Sequence, residues 1–161
     1  MKYKILILLC MTQMIALGAF AQNHLKIKTV FDEYGKQDGS VLVQLSTDIL
    51  SQGSKITLYK SLIMDESDRK NQQIRQAIEV DIQNGTKISE LKKDGKVESG
   101  MYYLGINKSS GTNEYILYKN KSRKITLVYL QGDFPPQQLE YELQKLKDLF
   151  IYVNNKRLKL Q

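Results

Sequence analysis

Between Val97 and Asp133 the chain passes through three consecutive segments of alternating, β-rich character, and that succession constrains the fold more than any other feature. Val97 to Ile106, Glu114 to Lys119 and Arg123 to Leu130 are dominated by Tyr, Ile, Leu, Val and Thr, which suit a pleated, half-buried surface. Asn107 to Asn113 and Asn120-Lys121-Ser122 separate them with residues that tolerate turns. Three successive antiparallel strands are therefore expected. In the third, Ile125, Leu127 and Tyr129 share one face and Thr126, Val128 and Leu130 the other. Both faces are apolar, as in a central strand. The second places Tyr115, Leu117 and Lys119 opposite Ile116 and Tyr118, and core packing accounts for these aromatic residues more simply than a ligand platform.

At the amino end, Lys2 and Lys4 precede an apolar run from Ile5 through Phe20, and Ala19-Phe20-Ala21 supplies the small residues that a signal peptidase reads. A signal peptide over 1–21 is expected, with cleavage after Ala21. Cys10 does not fit a lipoprotein signal, because Leu8 and Leu9 precede it near the start of the apolar run. Its removal with the signal would leave a cysteine-free mature chain, without disulfides, thiol nucleophiles or thiolate metal sites. Taking 21 residues from 161 leaves 140, enough for a single domain over 22–161, with 155–161 read as a frayed tail or a short edge strand. Loss of Lys2 and Lys4 from 24 basic residues leaves 22 against 17 acidic ones, a net charge of +5. This mild excess favours anionic partners, while export argues against nucleic acid.

The remaining elements follow from periodicity and punctuation. Leu25, Val30, Phe31 and Tyr34 predict a helix closed by Gly35. Ser40 to Ser46 alternates as a strand, Thr47 to Leu50 forms a helical turn, and Lys55 to Met64 is a second strand. There Ile56, Leu58, Leu62 and Met64 share a face with Lys60 as the exception. Ile74, Ala77, Ile78 and Ile82 place a helix over Ser67 to Gln83, stopped by Asn84-Gly85. Thr86 to Lys92 is open between a strand and a helical extension, although Asp94-Gly95 is a strong hairpin signal. After Gly132-Asp133-Phe134-Pro135-Pro136, with Asp133 near the cap, Leu139, Leu143, Leu146 and Phe150 form the clearest helical stripe. The expected class is α+β, an antiparallel sheet of about five to six strands packed by two or three helices after a cleaved signal peptide.

Four stretches carry a family likeness: Tyr59-Lys60-Ser61-Leu62, Gly100-Met101-Tyr102-Tyr103-Leu104, Tyr115-Ile116-Leu117-Tyr118-Lys119, and Thr126-Leu127-Val128-Tyr129-Leu130-Gln131-Gly132-Asp133. With the order of elements, they make the chain resemble small exported proteins of Bacteroidetes that form an uncharacterised, domain-of-unknown-function family. The resemblance covers most of the mature chain. It implies an envelope-associated α+β domain, periplasmic or secreted, and supplies no catalytic residues.

Chemistry is poorly provided for. His24, the single histidine, lies beside the expected mature terminus, which disfavours a triad or a histidine metal site. Asp65, Glu66 and Asp68 cluster as two-carboxylate hydrolysis requires, but helix capping already explains them. No Walker loop or dinucleotide fingerprint can be written over the glycines, so no cofactor is expected. What remains is the basic run Lys119, Lys121, Arg123 and Lys124, a candidate interaction patch for an envelope protein or anionic polymer, with a solvated loop as its plainer explanation. The two functional readings are thus a non-catalytic binding domain without a transmembrane anchor and a small carboxylate-dependent hydrolase.

Overall fold

The computed structural model describes residues 25–50 and 53–152, and over 147–152 only the helical backbone. The expected signal at 1–21, Cys10, His24, the Phe150 side chain and the stretch 155–161 lie outside the described residues. The elements in order are α1 (Lys26–Tyr34), β1 (Val41–Ser46), α2 (Thr47–Leu50), β2 (Ile56–Asp65), α3 (Asp68–Asp81), β3 (Thr86–Lys93), β4 (Lys96–Ile106), β5 (Asn113–Lys121), β6 (Lys124–Gly132) and α4 (Leu139–Tyr152). Short 3-10 turns at Ile82–Asn84 and Pro136–Gln138 follow α3 and introduce α4. The six strands form one antiparallel sheet in the order β1-β2-β6-β5-β4-β3.

The meander β3 to β6 brings the chain back to β2, so β6 is hydrogen-bonded on both edges and covered on both faces. On one face Ile125, Leu127 and Tyr129 meet Ile27, Val30 and Phe31 of α1 and Ile74, Ala77 and Ile78 of α3. On the other, Val128 and Leu130 join Leu50 of α2 and Leu139 and Leu146 of α4. The alternation read from the sequence thus separates two cores that share one strand. Tyr102, Tyr115, Tyr118 and Tyr129 are all buried, as core packing requires.

Several boundaries and faces differ from the sequence reading. The stretch left open between strand and helix is the strand Thr86–Lys93, paired through a two-residue turn at the expected Asp94-Gly95, whose φ values are 51° and 75°. The β5–β6 hairpin turns at Ser122 and Arg123, with φ values of 56° and 62°, rather than over Asn120-Lys121-Ser122. Asn120 and Lys121 belong to β5, and Arg123 precedes β6. On β2 a register shift between Ile56 and Leu58 turns Ile56 into the α4-side core, away from Leu58, Leu62 and Met64. Lys60 keeps its place on the α1 face because its ammonium lies 5.2 Å from the centre of the Phe31 ring. The expected Ser67–Gln83 helix ends at Asp81 before tightening into a 3-10 turn, while Ser67 caps it by accepting the Lys70 N–H at 3.3 Å.

Asp133 does not cap the last helix. Its N–H donates to the Lys55 carbonyl at 3.0 Å, tying the end of β6 to the start of β2. The Phe134 ring folds back over Gly132, where an added Cβ would lie 2.1 Å from its Cε1. That ring stacks on Tyr115, centroids 5.0 Å apart, and the Tyr115 hydroxyl donates to the Phe134 carbonyl at 2.5 Å. These contacts aim α4 across the sheet.

Leu127 has no exposed surface. Leu127→Ala is expected to lower stability by about 2 to 5 kcal/mol in denaturant unfolding, and a loss below about 0.5 kcal/mol would refute the central position of β6.

Candidate functional site

The four cations singled out from the sequence gather at one end of the sheet. Lys121 stands directly opposite Lys124 across the β5–β6 hairpin, and Lys119 lies one turn of the pleat behind on the same face. Arg123 occupies the tip, and all four residues are exposed. They are not equivalent. Lys124 Nζ pairs with Asp65 Oδ1 at 2.6 Å, which holds the Asp65 carboxyl below its usual range. Lys119, Lys121 and Arg123 make no ion pair among the described residues.

The tip is fastened to the rest of the domain through its backbone. Arg123 offers its carbonyl to the Glu66 N–H at 3.0 Å. Ser122 and Arg123 both hold positive φ without being glycine or asparagine, a conformation that costs an ordinary side chain free energy. On the other face, Asn120 and Asn71 donate to Glu66 Oε1 at 2.5 and 2.9 Å and hold its carboxyl below the usual range. The Asp65, Glu66 and Asp68 cluster is therefore dispersed. Asp65 faces Lys124, Glu66 bridges α3 to the hairpin, and Asp68 occupies the first turn of α3.

The carboxylates that are buried lie elsewhere, and the sequence reading did not single them out. Glu90 of β3 accepts from Lys87 at 2.9 Å, Arg75 at 3.1 Å and the Tyr102 hydroxyl at 2.8 Å. Arg75 also donates to that hydroxyl at 2.6 Å, closing a triangle between α3, β3 and β4. Burial opposes ionisation of Glu90, but hydrogen bonds from Lys87 and Tyr102 and the Arg75 charge outweigh it, holding the carboxyl down at about 2. Burial and the bond to Glu90 push the Tyr102 phenol up to about 12. Glu142, with no exposed surface, accepts the Lys55 N–H at 2.9 Å and Lys145 Nζ at 3.0 Å. It fastens α4 to the start of β2.

Two further carboxylates approach one another where α1 starts and α3 ends. Asp81 spends both oxygens on the N–H groups of Lys26 and Ile27, at 2.7 and 2.8 Å, and so caps α1 from another helix. Burial raises its carboxyl above the usual range despite those bonds. Glu114, a buried residue, accepts from the Tyr129 hydroxyl, Asn107 at 3.0 Å and Gln131 at 3.2 Å. The Tyr129 phenol is pushed far up, first by burial and then by its bond to Glu114. Signals for these residues existed. Glu114 alternates with Ile116 and Tyr118 on one face, and Glu142 interrupts the Leu139–Leu146 stripe.

With all six strands, the hairpin tip and the start of α4 inside the span, residues 14–143 match a model described as Family of unknown function (DUF6108). The chain belongs to that family. No curated protein matches this DUF6108 member. Among its described residues, no group of three or more His, Cys, Asp or Glu side chains is placed to hold a metal ion. No described helix is long and apolar enough to cross a membrane.

The Glu90 cluster makes a prediction about pH. A carboxyl depressed to about 2 in the folded state, from an ordinary 4.5, stabilises the fold above the ordinary value and loses that contribution as pH falls toward 2. Glu90→Gln should therefore be less stable than the unaltered protein at neutral pH, with the gap narrowing across that acid window in urea unfolding. A gap independent of pH would mean that the Glu90 charge contributes nothing.

Proposed function

We propose that this chain is an exported, non-catalytic binding domain of the cell envelope that meets an acidic protein or anionic polymer through the β5–β6 tip. The observation that carries this reading is the presence of Lys119, Lys121 and Arg123 on one exposed hairpin end without a carboxylate partner among the described residues. Exposed cations held on a rigid hairpin attract an anionic surface and orient it at little conformational cost. The strained backbone at Ser122 and Arg123 supports it further, since a hairpin built for stability alone would favour Asn-Gly there. Export rests on the signal-like start of the sequence, with Lys2, Lys4 and the Ala19-Phe20-Ala21 end.

The carboxylate-dependent hydrolase gains nothing from the geometry. Asp65 and Glu66 are engaged with Lys124 and with two asparagines, and Asp81 and Glu142 tie elements together.

Charge reversal tests the binding reading. With Lys121 and Arg123 both changed to Glu, the domain should keep its fold, because exposed substitutions cost less than about 0.5 kcal/mol. Capture of acidic partners from envelope extracts should fall. Capture by the unaltered protein should also weaken with salt, as the Debye length shortens from about 10 Å at 0.1 M to about 3 Å at 1 M. Equal capture by both proteins at low and high salt would make the tip a solvated face.

A further inference from the structure

The β3–β4 and β5–β6 hairpins both close on opposed lysines. Lys93 stands directly across from Lys96, and Lys121 across from Lys124. Like charges placed opposite one another weaken a sheet, so stability explains neither pair. Both pairs lie at the same end of the sheet and on the same face. Strand alternation puts Lys124 with Val128 and Leu130 on the α4 side, and Lys119 and Lys121 follow by register. Lys96 points the same way, because its neighbour Val97 packs into the opposite core, and Lys93 is its partner. Ser99 pairs with Lys119, so the ends of β4 and β5 adjoin. The Glu66 carboxyl, held low first by Asn120 and Asn71, also feels the charges of Lys96 and Arg123, which places the two turns side by side. Lys93, Lys96, Lys121 and Lys124 thus form a row across four neighbouring strands, roughly 14 Å long at about 4.8 Å per strand. All four are exposed, and among the described residues only Lys124 pairs with a carboxylate, although Asp94 and Glu98 lie at the same end.

We infer that this row binds a linear polysaccharide carrying an acidic group on every sugar, laid across the strand ends with its charges following the strands. The inference rests on the tip reading above and extends that surface from one hairpin to two. A polymer of this kind presents anions in a line at nearly the spacing of neighbouring strands, and each anion that settles between opposed lysines relieves their repulsion. A folded acidic protein offers no such period. Protein interfaces are also depleted in lysine at their centre and anchored by aromatic residues and arginine. Here the row is lysine, with Arg123 at one turn, Leu91 the exposed apolar residue beside it, and Ser99 and Thr126 behind it. Single-stranded nucleic acid is held by aromatic rings that stack on its bases. Among the described residues the exposed aromatic side chain is Tyr141, on α4, where the adjoining Glu142 accepts the Lys55 N–H at the far end of β2.

Calorimetric titration of the protein with polygalacturonate at low salt tests this, with galacturonate monomer and single-stranded DNA alongside. The polymer should bind, the monomer should not, and affinity should rise with oligomer length until the chain spans the row. Lys93→Gln with Lys96→Gln leaves the β5–β6 tip intact and should still raise the dissociation constant at least tenfold, as should Lys121→Glu with Arg123→Glu. Lys36→Gln with Lys55→Gln removes two exposed cations from elsewhere and should change it less than about twofold. Circular dichroism checks that each variant is folded, and if the Lys93, Lys96 variant is not, Lys93→Gln alone provides the test. Binding that falls with the tip variant but not with the Lys93, Lys96 variant would overturn the row and leave the tip reading standing. So would tip-dependent capture of an acidic protein by a chain that does not bind polygalacturonate. Polymer binding that neither variant weakens, or that the Lys36, Lys55 variant weakens equally, would overturn the row, and tip-independent capture from envelope extracts would overturn the tip reading as well. Single-stranded DNA bound as tightly as polygalacturonate would overturn the polysaccharide as ligand.

Discussion

Burial of β6 on both faces is the constraint on which the other layers depend. A strand with apolar groups on alternate sides cannot be satisfied by one layer of helices, so the chain supplies α1 and α3 on one side and α2 and α4 on the other. The strand also closes the long connection between β2 and the meander, because its two edges pair with β2 and β5. Removing it would leave a two-stranded ribbon and a three-stranded sheet, each with an uncovered apolar surface.

Charged groups fix how the layers sit. Arg75, Glu90 and Tyr102 tie α3 to β3 and β4, Asp81 caps α1 from the end of α3, and Glu142 binds α4 to the start of β2. Apolar packing is non-directional, whereas each of these contacts is satisfied in one arrangement only. Among described residues, no buried side-chain polar atom lacks a partner. Buried charge in this protein therefore accounts for orientation, whereas Lys119, Lys121 and Arg123 stand at the β5–β6 end without a carboxylate partner among the described residues.

Much of this was legible because period-2 alternation maps directly onto faces. Ile125, Leu127 and Tyr129 against Val128 and Leu130 is the two-core arrangement written in one strand, and Ser67 and Asp94-Gly95 marked a helix start and a turn correctly. The misreadings share a cause. Ile56 left its face because a register shift inserts one residue into β2, and periodicity has no sign for a bulge. The β5–β6 turn moved onto Ser122 and Arg123 because cross-strand register overrode local turn preference. The basic tip was visible as a charge run, but the pairing that neutralises Lys124 and leaves Lys119 and Lys121 free depends on Asp65, more than fifty positions away in the chain. The exposure of β1 was equally hidden, since strand order and not sequence decides which apolar strand becomes an edge.

The account stands or falls on a single shared strand. Native-state hydrogen exchange tests it most directly, because each amide reports the free energy of the opening that exposes it. The backbone amides of Ile125 to Leu130 should exchange only through global unfolding, with the free energy measured by denaturant, while amides of α2 and of the outer strand β3 exchange through cheaper local openings. If the β6 amides instead exchange at a lower free energy than those of α3, the two cores do not depend on one strand and the organisation described for this domain is incorrect.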